Sequence, residues 1–299
     1  MEVEKWANHK AGFVNIIGKP NAGKSTLMNA LVGERLAIIT SKAQTTRHRI
    51  TGIVNGDDFQ IVYSDTPGII TPQYKMQAAM MGFVKTSFID ADVLVVLIDL
   101  TDNSDDIEVY ADELKKVEIP IVVVLNKCDV VKEQFTEEKI NYWKKKVKAN
   151  DFLAVSALEK INLDLLLSTI MKHLPYSPPY YDKDELTDRP ERFFISEIIR
   201  EKILLNYKQE IPYSVEIVIE AFQDEPAIVR ISAIIMVNRK SQKPILIGKG
   251  GSKLKKVGME SRLDIEKFLG KKVFLELFVK VKENWRDNDI LLKNLGYRH

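Results

Sequence analysis

Eight consecutive residues, Gly18, Lys19, Pro20, Asn21, Ala22, Gly23, Lys24 and Ser25, have the spacing G-x-x-x-x-G-K-S. They follow the β-branched run "FVNIIG" and precede the helical pattern "STLMNALVG". In that setting glycines let backbone N–H groups close around phosphate oxygens at a helix N-terminus, where the helix dipole also favours an anion. Lys24 is then placed to reach the β- and γ-phosphates, and the Ser25 hydroxyl to ligate Mg²⁺.

Three further stretches extend the same chemistry. "DTPG", formed by Asp65, Thr66, Pro67 and Gly68, ends the next buried run. Asp65 can hold Mg²⁺ through water, and Gly68 can present its N–H to the γ-phosphate because no side chain intervenes. Between the two motifs stand Thr45 and Thr46, either of which could complete the Mg²⁺ shell. "NKCD", from Asn126 through Lys127 to Asp129, ends the run "PIVVVL". The Asp129 carboxylate can accept from both the ring N–H and the exocyclic amine of guanine, a donor pair that adenine lacks. The Lys127 stem could lie over the base, while the backbone of Ser156, Ala157 and Leu158 could cap the guanine oxygen. Four elements in sequence order at successive strand ends fit the ligand-binding edge of an open α/β sheet, and they predict GTP or GDP as ligand.

A second glycine-lysine run, "ILIGKGGSKLKKVG" at residues 245–258, needs a different reading. No buried strand precedes it and no G-K-S/T spacing follows. It joins two helical patterns, the arrangement of the KH domain, whose G-x-x-G loop clamps the backbone of single-stranded nucleic acid. Gly248, Gly250 and Gly251 allow close approach of a sugar-phosphate chain. Lys249, Lys253 and Lys256 meet its charge, and Ile245, Ile247, Leu254 and Val257 are expected to floor the groove under the bases.

The elements that must position these residues fall into two groups. Residues 11–174 alternate short apolar runs with helical patterns, as in a mainly parallel sheet with helical crossovers. Asn55-Gly56 between two alternating runs predicts a hairpin, hence one antiparallel strand. Pro175, Pro178, Pro179 and Pro190 then forbid a regular element. Beyond them the order is helix, strand, strand, helix, helix, strand. The predicted layout is a nucleotide-binding domain at 1–174, a proline-rich linker at 175–194, and a small α+β domain at 195–299.

Composition sets the outer bounds. The chain has 299 residues, 45% of them apolar and 29% charged, a globular balance. A net charge of +2 says little about partners, but eleven basic residues between Arg239 and Lys272 face only Glu260, Asp264 and Glu266, a nucleic-acid footprint. Cys128 is the lone cysteine, which excludes an intrachain disulfide and suits the cytoplasm. "MEVEKWANHK" lacks the apolar core of a leader peptide.

Taken together, "GKPNAGKS", "QTTRH", "DTPG", "NKCD" and "SAL" are similar to the five G-motifs of the translation-factor-like GTPases. With "TDRP" and "EIIREKI" the chain resembles, over its whole length, the Era family of small ribosomal subunit assembly GTPases. The resemblance implies an α/β P-loop GTPase domain followed by a type II KH domain. It implies that Asn21 to Thr26 wrap the phosphates, that Ser25 and Thr46 ligate Mg²⁺, and that Asn126, Lys127 and Asp129 read guanine. It further implies binding to the 3′ end of small-subunit ribosomal RNA, a cytoplasmic monomer, and peripheral contact with the inner face of the membrane. Where many small GTPases carry a water-orienting glutamine after D-x-x-G, this chain has Ile69 and Ile70, so intrinsic hydrolysis should be slow. In relatives with that replacement an Asn at the position of Asn21 helps to hold K⁺. Two rival readings are a constitutive RNA-binding protein with an idle G domain and a P-loop ATP-dependent enzyme.

Overall fold

The apolar runs ending in Gly, Asp or Asn become the strands of one sheet. The computed structural model describes residues 6–40, 42, 44–102 and 113–297; residues 1–5, part of the stretch read for a leader, lie outside the described residues. Strands β1 (Lys10–Gly18), β2 (Ile50–Asn55), β3 (Phe59–Asp65), β4 (Val93–Asp99), β5 (Ile121–Asn126) and β6 (Asp151–Val155) lie in the order β2-β3-β1-β4-β5-β6. Every neighbouring pair is parallel except β2 and β3, the predicted hairpin. Val93 to Leu97 of β4 are at most 1% exposed, because helices cover both faces of a parallel sheet. Those helices are α1 (Lys24–Val32), α2 (Lys75–Ser87), α3 (Glu133–Lys146) and α4 (Leu163–His173). Parallel strands end on one edge, so Gly18, Asp65, Asp99, Asn126 and Val155 finish side by side.

Residues 174–190 form no helix, and their one strand-like feature is an isolated bridge between Tyr176 and Lys10; the predicted linker runs to 194, but helix already begins at Glu191. The stretch is nonetheless tied down. Gln60 Oε1 accepts from the amides of Tyr180 (2.7 Å) and Tyr181 (2.9 Å), and Thr187 Oγ1 donates to the Thr51 carbonyl at 2.7 Å.

The chain divides into two compact units, residues up to Thr71 with Met80–Asp188, and Pro72–Ala79 with the chain from Arg189 onward. The second unit contains α5 (Glu191–Asn206), α6 (Ile211–Ser214), β7 (Val215–Asp224), β8 (Val229–Val237), α7 (Gln242–Ile247), α8 (Ser252–Leu269), β9 (Val273–Val281) and α9 (Asp289–Asn294). Its sheet runs β7-β8-β9, the first pair antiparallel and the second parallel. The predicted order holds, with α6 and α9 added. Ile195, Ile199 and Ile203 form one face of α5 and share a core with Ile231, Ile235, Val257 and Ile265. After β9 the chain turns back over this unit. Trp285 Nε1 donates to the Ser214 carbonyl at 3.1 Å, and Tyr297 Oη donates to Glu216 Oε2 at 2.6 Å. Arg200 lies 1% exposed beside Glu197. Burial opposes its charge, but Glu197 and Glu216 outweigh that and push its pKa up. Among the described residues no helix is long and apolar enough to cross a membrane.

Candidate nucleotide site and nucleic-acid interface

β1 passes to α1 through a loop that only small or strained residues can form. Gly23 has φ of 95°, and a Cβ there would stand 2.3 Å from Asn126 Nδ2. Asn21 also has positive φ, 64°. The Lys24 side chain folds back under the loop, where its Nζ donates to the carbonyls of Gly18 (3.1 Å) and Lys19 (2.7 Å). Burial lowers its pKa to about 8, against the opposing pull of the Asp65 carboxylate. This is a cation kept out of water and short of an anion.

Beside it three hard oxygen donors converge. Ser25 Oγ donates to Asp65 Oδ2 at 2.7 Å, Thr46 Oγ1 donates to the same oxygen at 3.0 Å, and the two hydroxyls lie 2.9 Å apart. Burial pushes the Asp65 pKa up, with Lys24 and the two hydroxyls working against it. The other oxygen, Asp65 Oδ1, is buried with no hydrogen-bond partner among the described residues. An unsatisfied carboxylate oxygen next to two hydroxyls fits Mg²⁺. Thr45 lines the same cavity, but its Oγ1 does not join these three and donates to the Lys42 carbonyl at 2.6 Å.

On the far side Asn126, 2% exposed, braces two loops. Its Nδ2 donates to the Ala22 carbonyl at 2.8 Å, and its Oδ1 accepts from the Ala157 amide at 3.0 Å. Lys127 has left-handed backbone, φ 69°, and Asp129 is exposed. A cavity of about 490 Å³ connects these parts. Pro20, Asn21, Gly23 to Thr26, Thr46, Gly68, Asn126, Lys127, Asp129 and Ser156 to Leu158 line it. A Cβ on Gly68 would meet the Pro20 nitrogen at 2.7 Å, so at this position only glycine lets the two phosphate-side motifs approach.

The remaining motif residues stand behind this wall. Gly18 and Lys19 offer carbonyls to Lys24, and the Lys19 ammonium turns to Asp102 at 3.2 Å. Ala22 and Pro67 are buried, and the Thr66 hydroxyl donates to the Ile16 carbonyl at 2.8 Å. Ile69 packs on the core, and His48 lies against the Phe83 ring. Ile38, Ile39, Thr40 and Lys42 also line the cavity, which the motifs do not reveal, and Gln44 of "QTTRH" joins them. A signal existed in Asn29, a polar residue inside α1. Its Oδ1 accepts from the amides of Leu36 (3.0 Å) and Ala37 (2.9 Å) and so fixes the start of that loop.

The second glycine-lysine loop joins α7 to α8 through a single 3-10 turn, Lys249–Gly251. Gly248, Gly250 and Gly251 have φ of 75°, 57° and 77°. A Cβ on Gly250 or Gly251 would meet nothing within 4 Å. Lys249 and Lys253 are exposed, the latter 5.8 Å from the Tyr207 ring, while Lys256 faces Glu260 at 3.7 Å. A groove of about 430 Å³ runs alongside, with Leu254, Gly258, Met259 and Arg262 on one wall and Leu275 and Leu277 on the other. The expected floor therefore needs correction. Val257 is 1% exposed and belongs to the core, as its place beside Ile265 on the inner stripe of α8 requires. Ile247 packs against the same core, and neither it nor Ile245 lines the groove. Leu275 and Leu277 of β9 stand in their place.

Comparison with known proteins supports both halves. Residues 13–127 match the family model described as 50S ribosome-binding GTPase, and residues 210–286 match the KH domain model. The GTPase Era of Thermoanaerobacter sp. strain X514 is 42% identical over 292 residues, covering 97% of both chains. A chloroplastic ERA-like GTPase of Oryza sativa subsp. japonica is 43% identical, covering 97% of this chain and 70% of the relative. Among solved structures, an Era in complex with MgGDPNP and nucleotides 1506–1542 of 16S ribosomal RNA superposes with a TM-score of 0.93. It is 38% identical and covers 97% of this chain and all of that one. An Aquifex aeolicus Era variant bound to GDP·AlF4⁻ gives a TM-score of 0.90 at 37% identity, covering 97% of this chain and all of that one.

Proposed function

The chain belongs to the Era family of GTPases, and from that premise we propose a GTP-hydrolysing switch that binds 16S ribosomal RNA through its KH domain during small-subunit assembly. The convergence of Ser25, Thr46 and Asp65 carries the reading. Thr46 sits on the loop before β2, and that loop delivers its hydroxyl to the metal side of the cavity.

The residues act as follows. Backbone amides of Asn21 to Thr26 wrap the phosphates, and Lys24 meets their charge. Ser25 and Thr46 hold Mg²⁺ directly and Asp65 holds it through water; the ion, when bound, offsets charge on the phosphate oxygens. Gly68 turns its N–H to the γ-phosphate. Asp129 reads guanine, the Lys127 stem covers it, and the backbone from Ser156 to Leu158 receives its oxygen. Asn126 braces these loops. The KH loop from Gly248 to Gly251, with Lys249, Lys253 and Lys256, holds the RNA strand.

Hydrolysis has no glutamine to orient water, since Ile69 faces the core. The reaction is slow unaided, and Asn21 would help to hold a K⁺ that would supply the missing positive charge. Turnover should be about tenfold faster in KCl than in NaCl at equal ionic strength. Asn21→Ala should erase the difference, and equal rates for the unmodified protein would remove K⁺ from the scheme.

The matching G-domain model is described by 50S binding, whereas the relative solved with RNA holds a 16S fragment. RNA contact lies in the KH half, which that model does not cover, and this favours the small subunit. The test is the affinity of a 16S 3′-terminal fragment measured with GDPNP, with GDP and without nucleotide. A switch gives different affinities, and equal values would favour the constitutive RNA binder. The same reading includes a cytoplasmic monomer, checked by light scattering, and peripheral membrane contact, checked by vesicle flotation.

A further inference from the structure

The tip of β4 carries a carboxylate that belongs to none of the nucleotide motifs. Asp99 is only 13% exposed, and both its oxygens are occupied. Oδ2 meets Lys127 Nζ at 2.5 Å, and Oδ1 accepts from the Thr101 amide (2.8 Å) and hydroxyl (2.6 Å). Its strand partner is Asn126, whose carbonyl accepts from the Leu100 amide at 3.1 Å. The same turn offers Asp102 to Lys19 of the phosphate loop at 3.2 Å.

A lysine is a poor plate for a planar base when left to itself, because its four-carbon stem rotates freely. Here both ends of Lys127 are fixed, one by its left-handed backbone and the other by Asp99. Thr101 in turn fixes Asp99, so the pair forms with little further loss of side-chain freedom, unlike a flexible surface pair. We propose that Asp99 is a positioning residue of the guanine site, holding the Lys127 ammonium so that the methylene stem lies across the base. The inference rests on the reading of Lys127 as the cover of the base.

The experiment follows dissociation of fluorescent GDP by stopped flow from four variants. Asp99→Asn keeps an acceptor for Thr101 and removes the charge. Lys127→Met keeps the stem and removes the ammonium. Each should speed release on the order of tenfold, the loss of one charge-assisted hydrogen bond. The double variant should release no faster than either single within about twofold, because both substitutions break one interaction. The turnover number of Asp99→Asn at saturating GTP should stay within about twofold of native, since Asp99 acts on retention and not on the phosphates. Native release from Asp99→Asn, or multiplying effects in the double variant, overturns the proposal. Lys127→Ala, which removes the stem, tests the underlying reading separately. Release at the native rate from that variant would mean that Lys127 does not cover the base at all.

Discussion

The two glycine-lysine loops share composition and differ in everything around it. At Gly23 an added Cβ would strike Asn126 at 2.3 Å, whereas at Gly250 it would meet nothing within 4 Å. Lys24 is 6% exposed and already holds two carbonyls, while Lys249 stands in solvent. The first loop is a closed cage, fitted from all sides to a ligand of fixed size. The second is a ledge: Gly248 backs onto Lys253, whose Cγ an added Cβ would meet at 2.8 Å, but Gly250 and Gly251 are demanded by backbone conformation and by what approaches from outside. A polymer that passes through can use a ledge, and a small anion that must be retained needs a cage.

The largest break in this comparison comes from the base end of the cage. Asp129→Asn reverses the donor-acceptor pattern facing guanine, so GTP affinity should fall by about 10³ or more. Xanthosine triphosphate should become the better ligand, as competition against labelled GTP will show. On the ledge, Gly250→Asp places a negative side chain where a ribose-phosphate must touch. RNA affinity should drop on the order of 100-fold by anisotropy, with guanine nucleotide affinity changed by less than about 0.5 kcal/mol. Tight RNA binding by that variant would refute the KH assignment.

A smaller effect separates the lysines by pH. Lys24 in the free protein has its pKa lowered to about 8 by burial, and bound phosphates raise it again. Between about pH 8 and the raised value, binding must therefore take up a proton, and affinity falls as pH rises. From pH 7 to pH 9 the loss of GDP affinity should approach tenfold, and Lys24→Arg should flatten the profile. The smallest effect is that of Gly250→Ala. With no neighbour to strike, it should lower stability by only about 1 kcal/mol, the cost of φ near +57°. A much greater loss would mean that the ledge is not open.

The cage was largely legible in the sequence because its parts are contiguous motifs at strand ends, and parallel strands bring their ends together without further information. The residues that hold those parts in place were not legible. Asn29 and Asp99 belong to no motif, and the partners they brace, Leu36 and Lys127, lie 7 and 28 positions away. On the ledge, helical spacing in α8 offers two apolar stripes, one through Leu254 and Gly258 and one through Val257 and Ile265. Periodicity does not say which stripe faces the core. Packing gives Val257 to the core, and strand pairing then brings Leu275 and Leu277 to the groove from beyond the end of α8.

The chain after β9 bears on how this protein can be dissected. The KH model spans residues 210–286, yet a fragment cut there would lose Ile195, Ile199 and Ile203 from its core. It would also lose Leu292 and Tyr297, which are 0% and 2% exposed. Glu216 would lose the Tyr297 hydroxyl and the nearby charge of Arg200. The recognisable module and the folding module are therefore different lengths of chain. An excised RNA-binding domain that behaves as a single cooperative unit should begin at or before Glu191 and run through Tyr297, and any fusion partner belongs beyond that tyrosine.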